Sequence, residues 1–473
     1  MPDAFRTDEA FARELDAADP LRAFRSEFHL PLASDLRSAS ATAHAASPLA
    51  VPDDQPAIYL TGNSLGLQPR STRDALLQEL DDWARLGVEG HFHAKHPWYP
   101  AHEELRGPLS RLIGAKETEV VAMNSLTTNL HLLMVSFYRP TRERYKIIME
   151  DSAFPSDSYA IQTQADFHSR HAGFDARSAV VRLAAKDDRT GLFATDEILA
   201  SIDAHAKSAA LFLMGGVNYR TGQVFDMAKI TAHAQSRGIT VGWDLAHAAG
   251  NIPLSLHDWN ADFAAWCSYK YLNSGPGSVA GAFVHERHLT DRTLPRFAGW
   301  WGNDPSTRFK MGPEFVPVAR ADAWSLSNPP ILSLAAVRAS LGVFDRATLP
   351  ALREKSIKLT GYLEKLLLAP RTRSSASENG TVNAVGDSAP VEVLTPREPH
   401  ARGCQLSIRV PGRGRDILAQ LLSMGVVCDF REPDVVRAAP VPLYNSFHDA
   451  WRFTAILHEL ASSPARHPIG DRS

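Results

Sequence analysis

Between residues 146 and 284 the chain alternates short, wholly apolar runs with amphipathic stretches, and that alternation leaves few folds open. Lys146–Met149, Ala179–Leu183, Ala209–Met214, Ile239–Trp243, Phe263–Cys267 and Val279–Val284 read as strands. Between them Ser158–Phe167, a stretch capped by Thr195 and running to Ala204, and Met227–Arg237 closed by Gly238 read as helices. Strands that are apolar throughout and separated by helices predict a parallel sheet covered on both faces. In such sheets ligands bind beyond the carboxyl ends of the strands, so that is where chemistry is to be sought.

The flanks are organised differently. Residues 1–56 are Ala-rich and polar and read as an N-terminal arm; 57–330 read as a large domain and 331–473 as a small C-terminal α+β domain. The large domain opens with a strand over Ala57–Leu60, a Gly62–Gly66 turn and a helix over Ser71–Leu86. After Asn328-Pro329-Pro330 come helices over Leu332–Arg346 and Leu349–Leu368. The polar tract 371–390 reads as a mobile insertion. Strands Val391–Leu394, Gln405–Val410 and Val426–Phe430, a helix over Arg415–Met424 and a last helix from His448 complete the pattern. A net charge of −3 over 473 residues, with dispersed Lys and Arg, gives no electrostatic case for nucleic acid or an anionic membrane. Cys267, Cys404 and Cys428 lie far apart, the N-terminus lacks an apolar signal core, and no run is long enough for a membrane helix. The expectation is a cytoplasmic protein that binds a small molecule.

Two adjacent strand ends carry the strongest chemical signal. One delivers Asp244 and His247, the next Tyr269 and Lys270, so a carboxylate and an amine face one crevice. A pyridoxal enzyme needs this pair: the lysine forms an imine with the cofactor aldehyde, and the carboxylate keeps the pyridine nitrogen protonated. Taken alone, the same residues could be a surface ion pair. Asn124-Ser-Leu-Thr-Thr128, ahead of a helix expected from about Asn129, would suit a phosphate, or would simply be a Ser/Thr cap. Phe154-Pro-Ser-Asp157 offers an aromatic face and a second carboxylate, or an ordinary turn.

Longer motifs decide among these readings. Thr61-Gly-Asn-Ser-Leu-Gly-Leu-Gln-Pro-Arg70, Phe154-Pro-Ser-Asp157, Gly242-Trp-Asp-Leu-Ala-His-Ala-Ala-Gly-Asn251 and Trp266-Cys-Ser-Tyr-Lys-Tyr-Leu-Asn-Ser-Gly-Pro-Gly277 resemble kynureninase. So do Gly299-Trp-Trp-Gly302, Ser327-Asn-Pro-Pro-Ile331 and Arg437-Ala-Ala-Pro-Val-Pro-Leu-Tyr-Asn-Ser-Phe-His-Asp449, in register from about residue 58 to 460. The resemblance implies a fold-type I pyridoxal 5'-phosphate enzyme of the class V aminotransferase group. Its large domain would hold a mostly parallel seven-stranded sheet, and it would act as a homodimer with shared active sites. It implies Lys270 as the Schiff-base lysine and Asp244 as the pyridinium partner. Phe154 would stack on the ring, within Phe154-Pro155-Ser156-Asp157, with Asp157 and His247 around it. Leu126, Thr127 and Tyr269, joined by Trp300 and Asn328 of the neighbouring subunit, would hold the phosphate and ring edge. Ser64, His91 and Asn328 would meet the substrate's aromatic end, and Arg437 would clamp its α-carboxylate. Position 215 in the family is a small polar residue or glycine, and no role is assigned to it. The implied reaction cleaves the Cβ–Cγ bond of L-kynurenine or its 3-hydroxy derivative, with Tyr269 and the phosphate as the candidate for water activation. The pairing of His91 with Asn328 leans toward the 3-hydroxy substrate, on a route to the nicotinamide ring.

Rival signals are weaker. Gly62-Asn-Ser-Leu-Gly66 matches a serine-hydrolase elbow, but Gln68-Pro69 delays the helix that should start at the serine. Gly275-Pro-Gly277 precedes a strand where a dinucleotide loop would follow one. His91, His93, His96 and His102 lack a carboxylate shell, so no metal is expected. A cysteine desulfurase, the alternative within the pyridoxal class, would need a cysteine on an open loop, and none is so placed. A scaffold that had lost catalysis would be expected to lack Lys270, Asp244 or Arg437, and all are present.

Overall fold

The computed structural model describes residues 5–38, 47–369 and 391–463; the tract 371–390 lies outside them. Its strands are β1 (Ile58–Tyr59), β2 (Val120–Ala122), β3 (Lys146–Glu150), β4 (Val180–Leu183), β5 (Ala209–Gly215), β6 (Thr240–Asp244) and β7 (Phe263–Trp266). They continue with β8 (Gly281–Val284), β9 (Glu392–Val393), β10 (Leu406–Arg409), β11 (Val426–Val427), β12 (Asp429–Arg431) and β13 (Val435–Ala438).

The central sheet has seven strands in the order β2-β8-β7-β6-β5-β3-β4. Pairings from β4 through β3, β5 and β6 to β7 are parallel, whereas β8 runs antiparallel to both β7 and β2. The mostly parallel sheet is therefore present, with β8 as its one reversed strand. The apolar runs are continuous because alternate residues feed two separate cores. Ile148, Phe212, Val241, Trp243 and Trp266 point into one, with Ile230, Leu334 and Leu341 from covering helices. Ile147, Met149, Leu211, Leu213 and Ala265 point into the other, with Leu130, Leu133 and Ile161.

Several local expectations need correction. The helix after β2 is Leu126–Phe137, so Leu126 and Thr127 belong to its first turn and not to a loop before Asn129. The helix after β3 is Pro155–Ala172, because proline, with its fixed φ and missing N–H, suits a first helical position. Ser156 and Asp157 thus stand at that helix's start. Thr195 is the first helical residue of Thr195–His205 and its hydroxyl makes no cap. The run Val426–Phe430 is two strands: β11 pairs with β1, and after Cys428 the chain crosses to a second sheet, β12-β13-β10-β9.

That second sheet is antiparallel and packs with helices Leu349–Leu368, Gly414–Ser423 and Phe447–Ser462 around a third apolar core. Phe11, Ala12 and Leu15 of the N-terminal helix Glu9–Ala17 join this core. Asp16 accepts from the backbone N–H groups of Phe447 and His448, and Lys355 pairs with buried Asp19 at 2.8 Å. The segment after β1 links the layers: Ala439 N–H donates to Leu60 O, and Gly66 N–H donates to Tyr269 O. Among the described residues no helix is long and apolar enough to cross a membrane.

Candidate active site

A cavity of about 340 Å3 opens at the carboxyl ends of β3, β5, β6 and β7, where the second sheet meets the first. Of the residues expected at the site, Ser64, Leu126, Thr127, Phe154, Ser156, Asp157, Asp244, His247, Tyr269, Lys270 and Arg437 line it. Pro155 stands just behind, as the first residue of its helix.

One end of the cavity is acidic. Asp244 terminates β6, is buried, and accepts from Ala246 N–H at 2.7 Å. Asp157 lies against it within hydrogen-bonding reach, and burial together with the Asp244 charge pushes the Asp157 carboxyl well above its ordinary range. Glu150, the last residue of β3, adds a third buried carboxyl; it accepts from Gly215 N–H at 3.2 Å. Burial and the neighbouring Asp244 push Glu150 up to about 8, against the lowering effect of the Gly215 hydrogen bond. Lys270 Nζ lies 3.1 Å from His247 Nε2 and 5.8 Å from the centre of the Phe154 ring. Burial, then Lys270 and the guanidinium groups of Arg437 and Arg431, hold His247 well below its usual value, so the imidazole is neutral and accepts from the ammonium.

The opposite end is basic. Arg437 on β13 is 1% exposed; its Nε donates to Asp429 Oδ1 at 2.6 Å, its Nη2 to Asp429 Oδ2, and its Nη1 to Tyr219 O at 2.5 Å. Arg431 lines the same end and lies 3.6 Å from Asp429. One carboxylate thus balances two guanidinium groups, leaving net positive charge facing the cavity.

A third region suits an oxyanion. Ser125 precedes Leu126–Phe137 and spends its hydroxyl on Thr128 at 3.0 Å, leaving first-turn backbone N–H groups without intrahelical partners. Thr127 and Ser156 hydroxyls meet at 2.8 Å, joining this helix start to that of Pro155–Ala172. Two helix N-termini therefore converge beside Tyr269, whose phenol burial keeps protonated.

These features fit pyridoxal phosphate on chemical grounds. Buried, mutually repelling carboxyls accommodate a cationic pyridinium, converging helix starts accommodate a dianion, and a neutral histidine accepts the proton-bearing amine. Residues unforeseen in the sequence are Glu150, Tyr219, Asn63, Val217 and Arg431. Glu150 was available to the strand-end rule had the strand been extended by one residue. Tyr219, whose ring stands edge-on to Phe154 at 5.5 Å, sits in a turn with no local signal.

Three expected residues are not in the cavity of the single chain. Trp300 is 39% exposed, with its ring against Phe309, and Asn328 is exposed. His91 stands half-buried beside Trp98, its Nδ1 2.9 Å from Val88 O. Elsewhere Glu119, His257 and His285 bring potential ligand atoms within 4.8 Å of one another. The two imidazoles stack 5.0 Å apart at 17°, so their in-plane lone pairs do not converge on one ion; Glu119 already accepts from Glu286 N–H and Lys116 N–H.

Comparison with known proteins agrees with this architecture. The aminotransferase class-V profile matches residues 58–380, and the kynureninase C-terminal domain profile matches 352–457. The chain is 52% identical over 450 residues to a kynureninase of Koribacter versatilis, covering 95% of this chain and 97% of that one. It is 50% identical to one of Myxococcus xanthus (96% and 98% covered) and 47% to one of Nematostella vectensis (95% and 93%). Among solved structures, a cysteine desulfurase of Escherichia coli superposes with a TM-score of 0.69 at 16% identity, covering 93% of this chain and 98% of that one. A cystine C–S lyase in complex with cysteine persulfide gives 0.68 at 17%, covering 86% and 97%. At those identities the structural matches speak for the fold alone, and it is the near-full-length sequence identity that places this chain in the kynureninase family.

Proposed function

We propose that the chain hydrolyses the Cβ–Cγ bond of L-kynurenine, 3-hydroxy-L-kynurenine or both, releasing anthranilate or 3-hydroxyanthranilate and L-alanine. The observation that carries this reading is a single cavity with Lys270 between a carboxyl cluster and the partly neutralised Arg437. Pyridoxal phosphate, when bound, supplies an electron sink for the carbanions that develop at the substrate's Cα and Cβ.

The residues divide the remaining work. Asp244, steadied by Ala246 N–H and Asp157, opposes positive charge on the ring nitrogen. Leu126, Thr127 and Ser156 offer hydrogen bonds to the phosphate, and the exposed face of Phe154 is available for stacking. Arg437 keeps N–H groups beyond those given to Asp429 and Tyr219 O, and these would grip the α-carboxylate. That anchor directs the substrate amine and Cα toward Lys270. The lysine amine then removes the Cα proton, with neutral His247 3.1 Å away to receive a hydrogen bond when Nζ is protonated. Tyr269 holds its proton in the resting site, a donor that can orient the oxygen of an attacking water or the ketone. Ser64 faces the cavity from the turn after β1 and would meet the aromatic end.

We further propose that the enzyme is a cytoplasmic homodimer and that Trp300, Asn328 and His91 complete the neighbouring subunit's site. A row of rings supports this: Phe92 stacks on Tyr99 at 6.0 Å, Tyr99 meets Phe309 at 5.9 Å, and Phe309 meets Trp300 at 5.8 Å. Phe92, Phe309 and Met311 are 60%, 61% and 73% exposed, an apolar surface that a second copy would cover. The domain division at residues 56 and 330 belongs to the same reading. A cysteine desulfurase is disfavoured because burial raises the Cys267, Cys404 and Cys428 thiols, whereas that chemistry wants a thiolate. The test is direct. Purified protein should be yellow, borohydride should fix the cofactor to the peptide containing Lys270, and kynurenine should yield equimolar alanine and anthranilate. Colourless protein that reacts at Ser64 with a fluorophosphonate would overturn the assignment.

A further inference from the structure

Glu150 has no part in the roles above, yet it is 3% exposed, lines the cavity and stands beside the acid that faces the pyridinium. Its position is fixed by the sheet. Glu150 ends β3, and its Oε2 accepts from Gly215 N–H at the end of β5. Gly215 is the register partner of Asp244 on β6, so the carboxyl reaches across one strand toward Asp244. A side chain at position 215 would bring its Cβ to 3.2 Å from Glu150 Oε1; glycine leaves that room to the carboxyl. The titratable groups facing Glu150 are Asp244 from β6 and Asp157 from the helix after β3. Lys270, on the loop after β7, acts on this cluster as a cation that lowers Asp157.

We propose that Glu150 is a positioning residue for the cofactor: a carboxyl held at the end of β3 by the Gly215 N–H that acts as a hydrogen-bonding prop beside Asp244. Three adjacent buried carboxylates facing one lysine would repel one another strongly, and the cluster relieves this by holding protons. Glu150 is suited to that duty because the Gly215 N–H that holds it serves a carboxyl in either protonation state. The inference rests on the pyridoxal reading of the site, so its test includes an arm that does not need the cofactor.

In the folded protein Glu150 keeps its proton up to about 8, while in the unfolded chain a glutamate loses it near ~4.3. The folded state therefore binds the extra proton between these values. The stability this contributes is full below the unfolded value and is lost as pH rises through about 8. In cofactor-free protein, Glu150→Gln should remove that part of the fall in Tm between about pH 5 and about pH 8. In the second arm, Glu150→Ala should weaken pyridoxal phosphate binding about tenfold, and Glu150→Gln should recover most of the loss because it restores a neutral hydrogen-bonding group. The proposal is overturned by a Gln variant whose Tm falls with pH as steeply as the parent's. It is equally overturned if Gln binds cofactor as weakly as Ala, which would mean the charge is required, or if Ala binds as tightly as the parent. Failure of the parent protein to take up cofactor at Lys270 would instead strike the functional reading, and the Tm arm would still report on Glu150.

Discussion

The two charged ends of the cavity are built on opposite plans. At the acidic end, Glu150, Asp157 and Asp244 come from strand ends and a helix start of one sheet and lie buried together, where burial and proximity raise the Glu150 and Asp157 carboxyls. At the basic end, Arg437 and Arg431 come from the second sheet and are already partnered by Asp429. One end is a buried set of carboxyls that favours an incoming cation; the other is partly neutralised and can exchange or share a carboxylate. The difference suggests why a ring nitrogen would be held for many turnovers while an amino acid comes and goes.

The sharpest break in that comparison is removal of the group between the two ends. Lys270→Ala should lower kcat by ~10^3-fold or more, and borohydride should label no peptide, since acid–base and nucleophilic roles are lost together. Next comes the acidic end: Asp244→Asn keeps the shape but removes the charge, and kcat should fall by ~10^2-fold, with a changed visible spectrum of the bound cofactor. At the basic end Arg437→Gln should act mainly through KM, raising it by ~30-fold or more with a smaller change in kcat, because it removes the guanidinium that would grip the α-carboxylate; it should also lower thermal stability, since half-buried Asp429 loses its strongest partner. Replacing Asp429 by Asn in the same chain should restore part of the lost thermal stability but not the KM. The smallest effect is expected at the oxyanion region, where Thr127→Val removes the hydroxyl shared with Ser156 and should weaken cofactor binding by about fivefold in equilibrium dialysis. Steady-state comparison of kynurenine with 3-hydroxykynurenine belongs beside these variants. A kcat/KM ratio favouring the unsubstituted substrate by tenfold or more would reject the lean toward the hydroxylated one.

How much of this was legible in the sequence follows from what each element depends on. The parallel strands could be read because burial on both faces makes their composition continuous, as in Ile147-Ile148-Met149 and Leu211-Phe212-Leu213. Asp244, His247, Tyr269 and Lys270 followed from the strand-end rule. The reversed direction of β8 and the edge strand β2 could not be read, since three or four apolar residues carry no sign of direction. The split of Val426–Phe430 between two sheets was hidden for a similar reason: Val426 pairs with Ile58, more than three hundred residues earlier. Tyr219 and Asp429 escaped notice because their meaning comes from Arg437, across a contact that no local pattern records.

The short parallel pair β1–β11 also acts as a ruler. Hydrogen bonds from Leu60 N–H to Val427 O, from Ala439 N–H to Leu60 O and from Gly66 N–H to Tyr269 O form one main-chain strap. It runs from the strand beside Arg437 to the residue before Lys270, with Ser64 carried between. The spacing between the main-chain segments that carry Arg437 and Lys270 is thereby tied by peptide hydrogen bonds, leaving only the two side chains to adjust the distance between guanidinium and amine.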